Sequence, residues 1–147
     1  MKKRILIVGV DDDENRKVAQ TIEATNQPIR KLANLLYTNK TILVPSAYLE
    51  CPWMHKHIIA LQQEASEVLF LVSLNNKKRY PPGFARVFQV PRKGGIVSHG
   101  SRQAKKTSEQ AERELMEIGC IPPYQTIVFK EGKECTYQQE GREITKE

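Results

Sequence analysis

Arg4–Lys17 reads RILIVGVDDDENRK. Ile5-Leu6-Ile7-Val8 is an unbroken apolar run, closed by Gly9. A strand covered on both faces needs that continuous apolar character. Asp11, Asp12, Asp13 and Glu14 follow, and helical spacing runs from Glu14 to Ala24. A buried strand turning through a short loop into a helix is the opening unit of a parallel α/β sheet. The three aspartates of this loop are the only ones in the 147 residues, an inventory that tests every reading of the loop.

The same signature recurs downstream. Thr41–Val44, Val68–Ser73, Gly94–Ser98 and Thr126–Lys130 are short runs rich in Ile, Val, Leu or Phe. His55 to Gln63 and Ala104 to Ile118 carry helical spacing between them. In the second, Ala104, Ala111, Leu115 and Ile118 share a face, and Gly119 supplies a stop. The alternation predicts a three-layer, doubly wound α/β domain with right-handed crossovers and a five-stranded parallel sheet in the order 2-1-3-4-5. Ligands of such sheets bind beyond the carboxyl ends of the strands. Here that rim collects residues 9–16, 45–50, 74–79 and 98–102. Residues 1–147 read as a single domain with a polar C-terminal tail from about 136.

Composition narrows the function classes. No apolar run approaches the ~18 residues of a membrane span, and the apolar stretch after the basic start is too short for a signal-peptide core. Cys51, Cys120 and Cys135 are odd in number and widely spaced, as expected of reduced thiols in the cytoplasm. The net charge is +6, with basic clusters at Lys2 to Arg4, Lys77-Lys78-Arg79, Arg92-Lys93 and Arg102 to Lys106. Such clusters suit either a solvated surface or an anionic partner. They lack interleaved aromatics, so a nucleic-acid platform is not expected.

Arg4–Lys17 resembles the opening of a response-regulator receiver, in which an acidic pair holds a divalent cation through oxygen ligands. A receiver also needs a phosphoacceptor aspartate at the end of its third strand. The corresponding run, Leu69-Phe70-Leu71-Val72-Ser73-Leu74-Asn75, contains no carboxylate, which excludes a phosphorelay device.

A wider resemblance spans roughly Arg4 to Phe129. Tyr48-Leu49-Glu50 and Pro81-Pro82-Gly83-Phe84-Ala85-Arg86-Val87-Phe88 are similar in order and spacing to segments of the EutP/PduV family. These are small P-loop GTPase-like proteins associated with ethanolamine and propanediol utilisation in bacteria that build microcompartments. The resemblance implies a P-loop NTPase-like fold, a phosphate loop at Gly9, Asn15 and Arg16, and a base site at Ser98, His99 and Ser101. It also implies a cytoplasmic protein with a protein partner, at a bacterial microcompartment.

The nucleotide motifs depart from that pattern. A phosphate loop reads G-x-x-x-x-G-K-[ST], with backbone N–H groups around the phosphates, Lys on the β/γ-phosphates and a hydroxyl on magnesium. Counting from Gly9, the second Gly is Glu14, the Lys is Asn15 and the Ser/Thr is Arg16. The switch segment resembling DTPGEY is Leu43-Val44-Pro45-Ser46-Ala47-Tyr48, and the TKxD-like base motif is Ser98-His99-Gly100-Ser101. Both have lost their aspartates. Like charges ~4 Å apart repel by about 1 kcal/mol in water and about 4 kcal/mol at an effective dielectric near 20. Several such pairs outweigh a helix N-terminus, worth roughly 0.3–1 kcal/mol per charge.

The expected function is therefore that of a non-hydrolysing pseudo-GTPase of ethanolamine or propanediol utilisation, an accessory or interaction protein. No cofactor is expected beyond residual ATP, GTP or magnesium. The alternatives are a nucleotide-binding enzyme of the same family with a remodelled phosphate site, and a basic nucleic-acid- or anion-binding α/β domain. Asp11, Asp12 and Asp13 serve either as a helix cap or as a divalent-cation site. Cys51 and His55, with Glu50, His57 or His99, offer zinc-type donors with no spacing that fixes a geometry. Tyr48, Glu50, Trp53 and Phe84 form the candidate partner surface, on the reasoning that aromatics anchor interfaces.

Overall fold

The computed structural model describes residues 4–23, 30–32, 35–37, 40–81, 83–99, 103–129, 135–139 and 142–146. Strand β1 (Arg4–Gly9) leads into helix α1 (Asp12–Glu23). Strands β2 (Arg30–Leu32), β3 (Leu35–Tyr37) and β4 (Thr41–Leu43) follow. Two 3-10 turns, Ser46–Glu50 and Pro52–Met54, precede α2 (His55–Ala60). A third, Leu61–Glu64, leads into β5 (Ala65–Ser73), and a fourth, Phe84–Val87, precedes β6 (Arg92–His99). Helix α3 (Ser108–Ile118), β7 (Gln125–Phe129), β8 (Cys135–Gln139) and β9 (Arg142–Lys146) complete the order.

The sheet runs β2-β3-β4-β1-β5-β6-β7-β8-β9. Its centre, β4-β1-β5-β6-β7, is parallel throughout and has the expected 2-1-3-4-5 order, consistent with a P-loop NTPase-like fold. Antiparallel strands extend both edges: β2 and β3 beyond β4, β8 and β9 beyond β7. The polar run from about 136, expected as a tail, is thus paired as edge strands. An edge needs no second apolar face, so polar residues suffice there.

Alternation along the central strands builds a core on each face. Leu6, Val8, Val68, Phe70, Val72 and Ile96 point to one side, where Ile58 of α2 and Leu115 and Ile118 of α3 cover them. Ile7, Leu43, Leu69, Leu71, Val97 and Ile127 point to the other, against Val18 and Ala19 of α1. Each fully buried side chain of this size contributes roughly 1.5–3 kcal/mol. Among the described residues no helix is long and apolar enough to cross a membrane.

Local chemistry moves several boundaries. Helix α3 starts at Ser108, not Ala104, because Thr107 accepts from Gln110 N–H and the Gln110 side chain accepts from Thr107 N–H, a complete capping box. It ends where predicted, at Gly119 with φ 109°. The predicted His55–Gln63 helix is α for one part and 3-10 for the other.

Candidate functional site

The carboxyl ends of β1, β4 and β5 define the rim where a phosphate loop would lie. A phosphate cradle is a stretch of unwound backbone with N–H groups turned inward. Here only Val10 and Asp11 separate β1 from α1. Asp11 caps the helix: its Oδ1 accepts from Glu14 N–H at 3.1 Å and its carbonyl from Asn15 N–H at 3.0 Å.

The residues in place of the phosphate-loop Gly, Lys and Ser/Thr have taken structural partners or face solvent. Asn15 is buried, and its Nδ2 donates to the Gly9 carbonyl at 3.1 Å. The amide lies so close that a Cβ on Gly9 would collide with Asn15 Oδ1 and sit 3.0 Å from its Cγ. Glu14 is also buried, and Ser73 Oγ donates to its Oε2 at 2.9 Å. Asn75 N–H in turn donates to Ser73 Oγ at 3.1 Å, so the end of β5 is tied to α1. Arg16 stands exposed on α1.

Asp12 crosses to the loop after β4. Ser46 N–H donates to its Oδ1 at 2.7 Å and Ser46 Oγ to its Oδ2 at 2.9 Å. A carboxylate of the chain itself thereby occupies both donors of Ser46, within the segment that aligns with the switch motif. Asp13 pairs with Lys17 at 3.2 Å on the exposed face of α1. The three aspartates therefore serve a helix cap, a loop and a lysine. Among the described residues no cluster of His, Cys, Asp or Glu is gathered for a metal ion. The residues do not fit a nucleoside triphosphate and its magnesium: the cradle is closed from inside and its mouth is acidic.

Two further contacts join the segment after β5 to its surroundings. The Tyr80 hydroxyl lies 2.8 Å from the Val8 carbonyl and 2.6 Å from the Leu71 carbonyl, sharing its proton between β1 and β5. Burial holds this phenol well above its ordinary pKa of 10.0, with Cys120 and Glu114 adding to the effect. Lys78 pairs with Glu50 at 2.8 Å. That hydrogen bond is the largest cause of a raised Lys78 pKa, and Asp12 and Asp11 add weaker attraction.

The remaining candidates are dispersed. Ser98 is half-buried in β6, His99 is its last residue, and Ser101 lies outside the described residues. His55 Nε2 donates to the Leu49 carbonyl at 2.9 Å, which commits that imidazole to packing. Trp53 is 70% exposed, Glu50 is exposed and Tyr48 is half-buried. Phe84 does not join them. The left-handed Gly83, φ 70°, turns the chain so that Phe84 enters the core. There it meets His55, Phe70 and Phe88 edge-on and stacks on Tyr80.

Sequence reasoning missed a second feature of this end of the molecule. A cavity of about 300 Å³ lies between the segment after β5 and one face of α3, lined by Lys77, Arg79, Lys105, Lys106 and Arg113. The signal was present in Glu114, a carboxylate within the apolar spacing of α3. It is buried, paired to Lys106 at 3.1 Å, and accepts from Tyr80 N–H at 3.3 Å.

No curated protein matches the chain. The family model for PduV-EutP, described as ethanolamine utilisation – propanediol utilisation, matches residues 1–133. With that match over most of its length, a central sheet in the order found, and its motifs in sequence, the chain belongs to the PduV-EutP family, which is associated with ethanolamine and propanediol utilisation.

Proposed function

We propose that this protein is a non-hydrolysing pseudo-GTPase that acts as an accessory or interaction protein of ethanolamine or propanediol utilisation, in the cytoplasm at a bacterial microcompartment. One observation carries the reading: the phosphate-loop position is closed by Asn15 on Gly9, Glu14 on Ser73 and Asp12 on Ser46. Each of those contacts would have to break, beside a row of acidic side chains, before phosphates could enter. Among the residues outward on the segment after β4 are Trp53, Glu50 and the edge of Tyr48. An exposed indole three residues along the chain from the Glu50–Lys78 pair is a fitting anchor for a protein partner.

Calorimetric titration of the purified protein with GTP and ATP, each with magnesium, tests the reading. The expected outcome is no saturable heat and no phosphate release. Saturable GTP binding with turnover, lost in an Asn15→Ala variant, would instead establish a nucleotide enzyme with a remodelled site.

A further inference from the structure

The two ends of the sheet's carboxyl rim carry opposite charge. Beside α1 the mouth is acidic. Beside α3, the 300 Å³ cavity is lined by five cations, two carboxylates and Gln110. Its floor is the Lys106–Glu114 pair, with the two side chains only 9% and 5% exposed. At its edge Arg79 pairs with Glu117 at 3.1 Å. Both carboxylates of the cavity are thus engaged. Among the described residues, no carboxylate lies within ion-pair distance of Lys77, Lys105 or Arg113.

Three cations left over around one concavity repel each other, and a bound polyanion relieves that repulsion. Gln110 also faces the cavity. Its Oε1 is taken by Thr107 N–H, so only its NH2 end can meet a ligand, as a donor. Lys105 and Lys106 precede the N-terminus of α3, whose dipole adds to the attraction. The open groups are thus cations and donors, except for Glu117, a half-exposed carboxylate at the edge whose charge Arg79 offsets. The volume is at the small end for a ligand pocket, which suits a compact anion better than a nucleic-acid strand. Arginine and lysine donors together match the closely spaced oxygens of phosphate groups.

We propose that this groove, with Lys77, Lys105 and Arg113 as its principal contacts, binds a small polyvalent phosphate: pyrophosphate or a compact phosphoester. The site is separate from the former nucleotide loop, and it does not depend on the proposed pseudo-GTPase role.

The test is calorimetric titration of the full chain with inorganic pyrophosphate at low ionic strength, citrate serving as a carboxylate polyanion of similar charge. The expected result is saturable pyrophosphate binding, tighter than citrate. Lys105→Gln with Arg113→Gln is expected to weaken it by about tenfold or more, the scale of losing charge-assisted contacts. Lys77→Gln alone should weaken it in the same direction. These side chains are exposed, so the fold is not at stake. Lys40→Gln with Lys56→Gln removes equal charge elsewhere, at exposed positions outside the cavity and the phosphate-loop position, and should leave affinity within about twofold. Absence of pyrophosphate binding, equal binding of citrate, or loss in the Lys40/Lys56 variant with retention in the groove variant would each overturn the proposal.

Discussion

Burial fixes the protonation of Cys120. The thiol is 5% exposed just past the end of α3, and desolvation lifts it from its ordinary 9.0 to about 12, against a smaller opposing pull from Arg92. A thiol in that state is inert as a nucleophile. It also sets a pH dependence. The folded state keeps the proton to about pH 12, whereas the unfolded chain releases it near 9.0. The stabilisation is complete below pH 9 and is lost as the pH rises through that window, by up to about 1.4 kcal/mol per pH unit. Tyr80, raised above 10.0 by burial, adds a loss of the same sign at higher pH. Urea unfolding at pH 8 to 10 should therefore show falling stability in the native chain and a flatter profile in Cys120→Ala. An unchanged slope would mean that the thiol titrates normally.

At the scale of elements, Glu114 joins α3 to the two segments that pass over it. Its carboxylate holds Lys106 from the approach to the helix and Tyr80 N–H from the segment after β5. Removing one member of a buried pair strands the other, at about 3–5 kcal/mol, while removing both costs much less. Glu114→Ala should accordingly lower stability by about 3 kcal/mol or more, and Lys106→Met with Glu114→Gln should recover most of that. Equal losses in the single and double variants, measured by urea denaturation, would show that the pair is not coupled. Elements of this kind mark how far the fold was readable. The central strands announced themselves because parallel strands are buried on both faces and must be apolar throughout. The edge strands lacked that requirement: Gln138, Gln139 and Arg142 are polar, although Tyr137, Ile144 and the intervening Gly141 are hairpin signals. At the site, the replacement of loop residues was plain from their types. The contacts that replacement made were not, because Ser46 on Asp12 and Ser73 on Glu14 join residues far apart in sequence. Phe84 was misplaced for a related reason: an aromatic after Pro-Pro-Gly can face either way, and only the left-handed Gly83 decides.

For the whole molecule, the proposed closure of the phosphate-loop position is spread over several contacts, and that determines what restoring the motif would achieve. Glu14→Gly, Asn15→Lys and Arg16→Ser together recreate G-x-x-x-x-G-K-S from Gly9. The variant still has α1 beginning at Asp12, Asp12 bound to Ser46, and Tyr80 spanning β1 and β5. It has no aspartate beyond Asp13 to bind a guanine base or hold magnesium from the switch segment. It also loses the buried Asn15–Gly9 and Glu14–Ser73 contacts, each worth roughly 1–3 kcal/mol when a partner is left unsatisfied. The expected outcome is a destabilised protein that acquires neither saturable GTP binding nor hydrolysis, read by thermal unfolding alongside titration with a fluorescent GTP analogue. Recovery of tight GTP binding from these three substitutions alone would place the whole barrier in the loop side chains. The arrangement points the other way: Asn15 is held on Gly9, Glu14 on Ser73 and Asp12 on Ser46, so the obstacle to a phosphate is spread over β1, β5 and the segment after β4 as well as the loop.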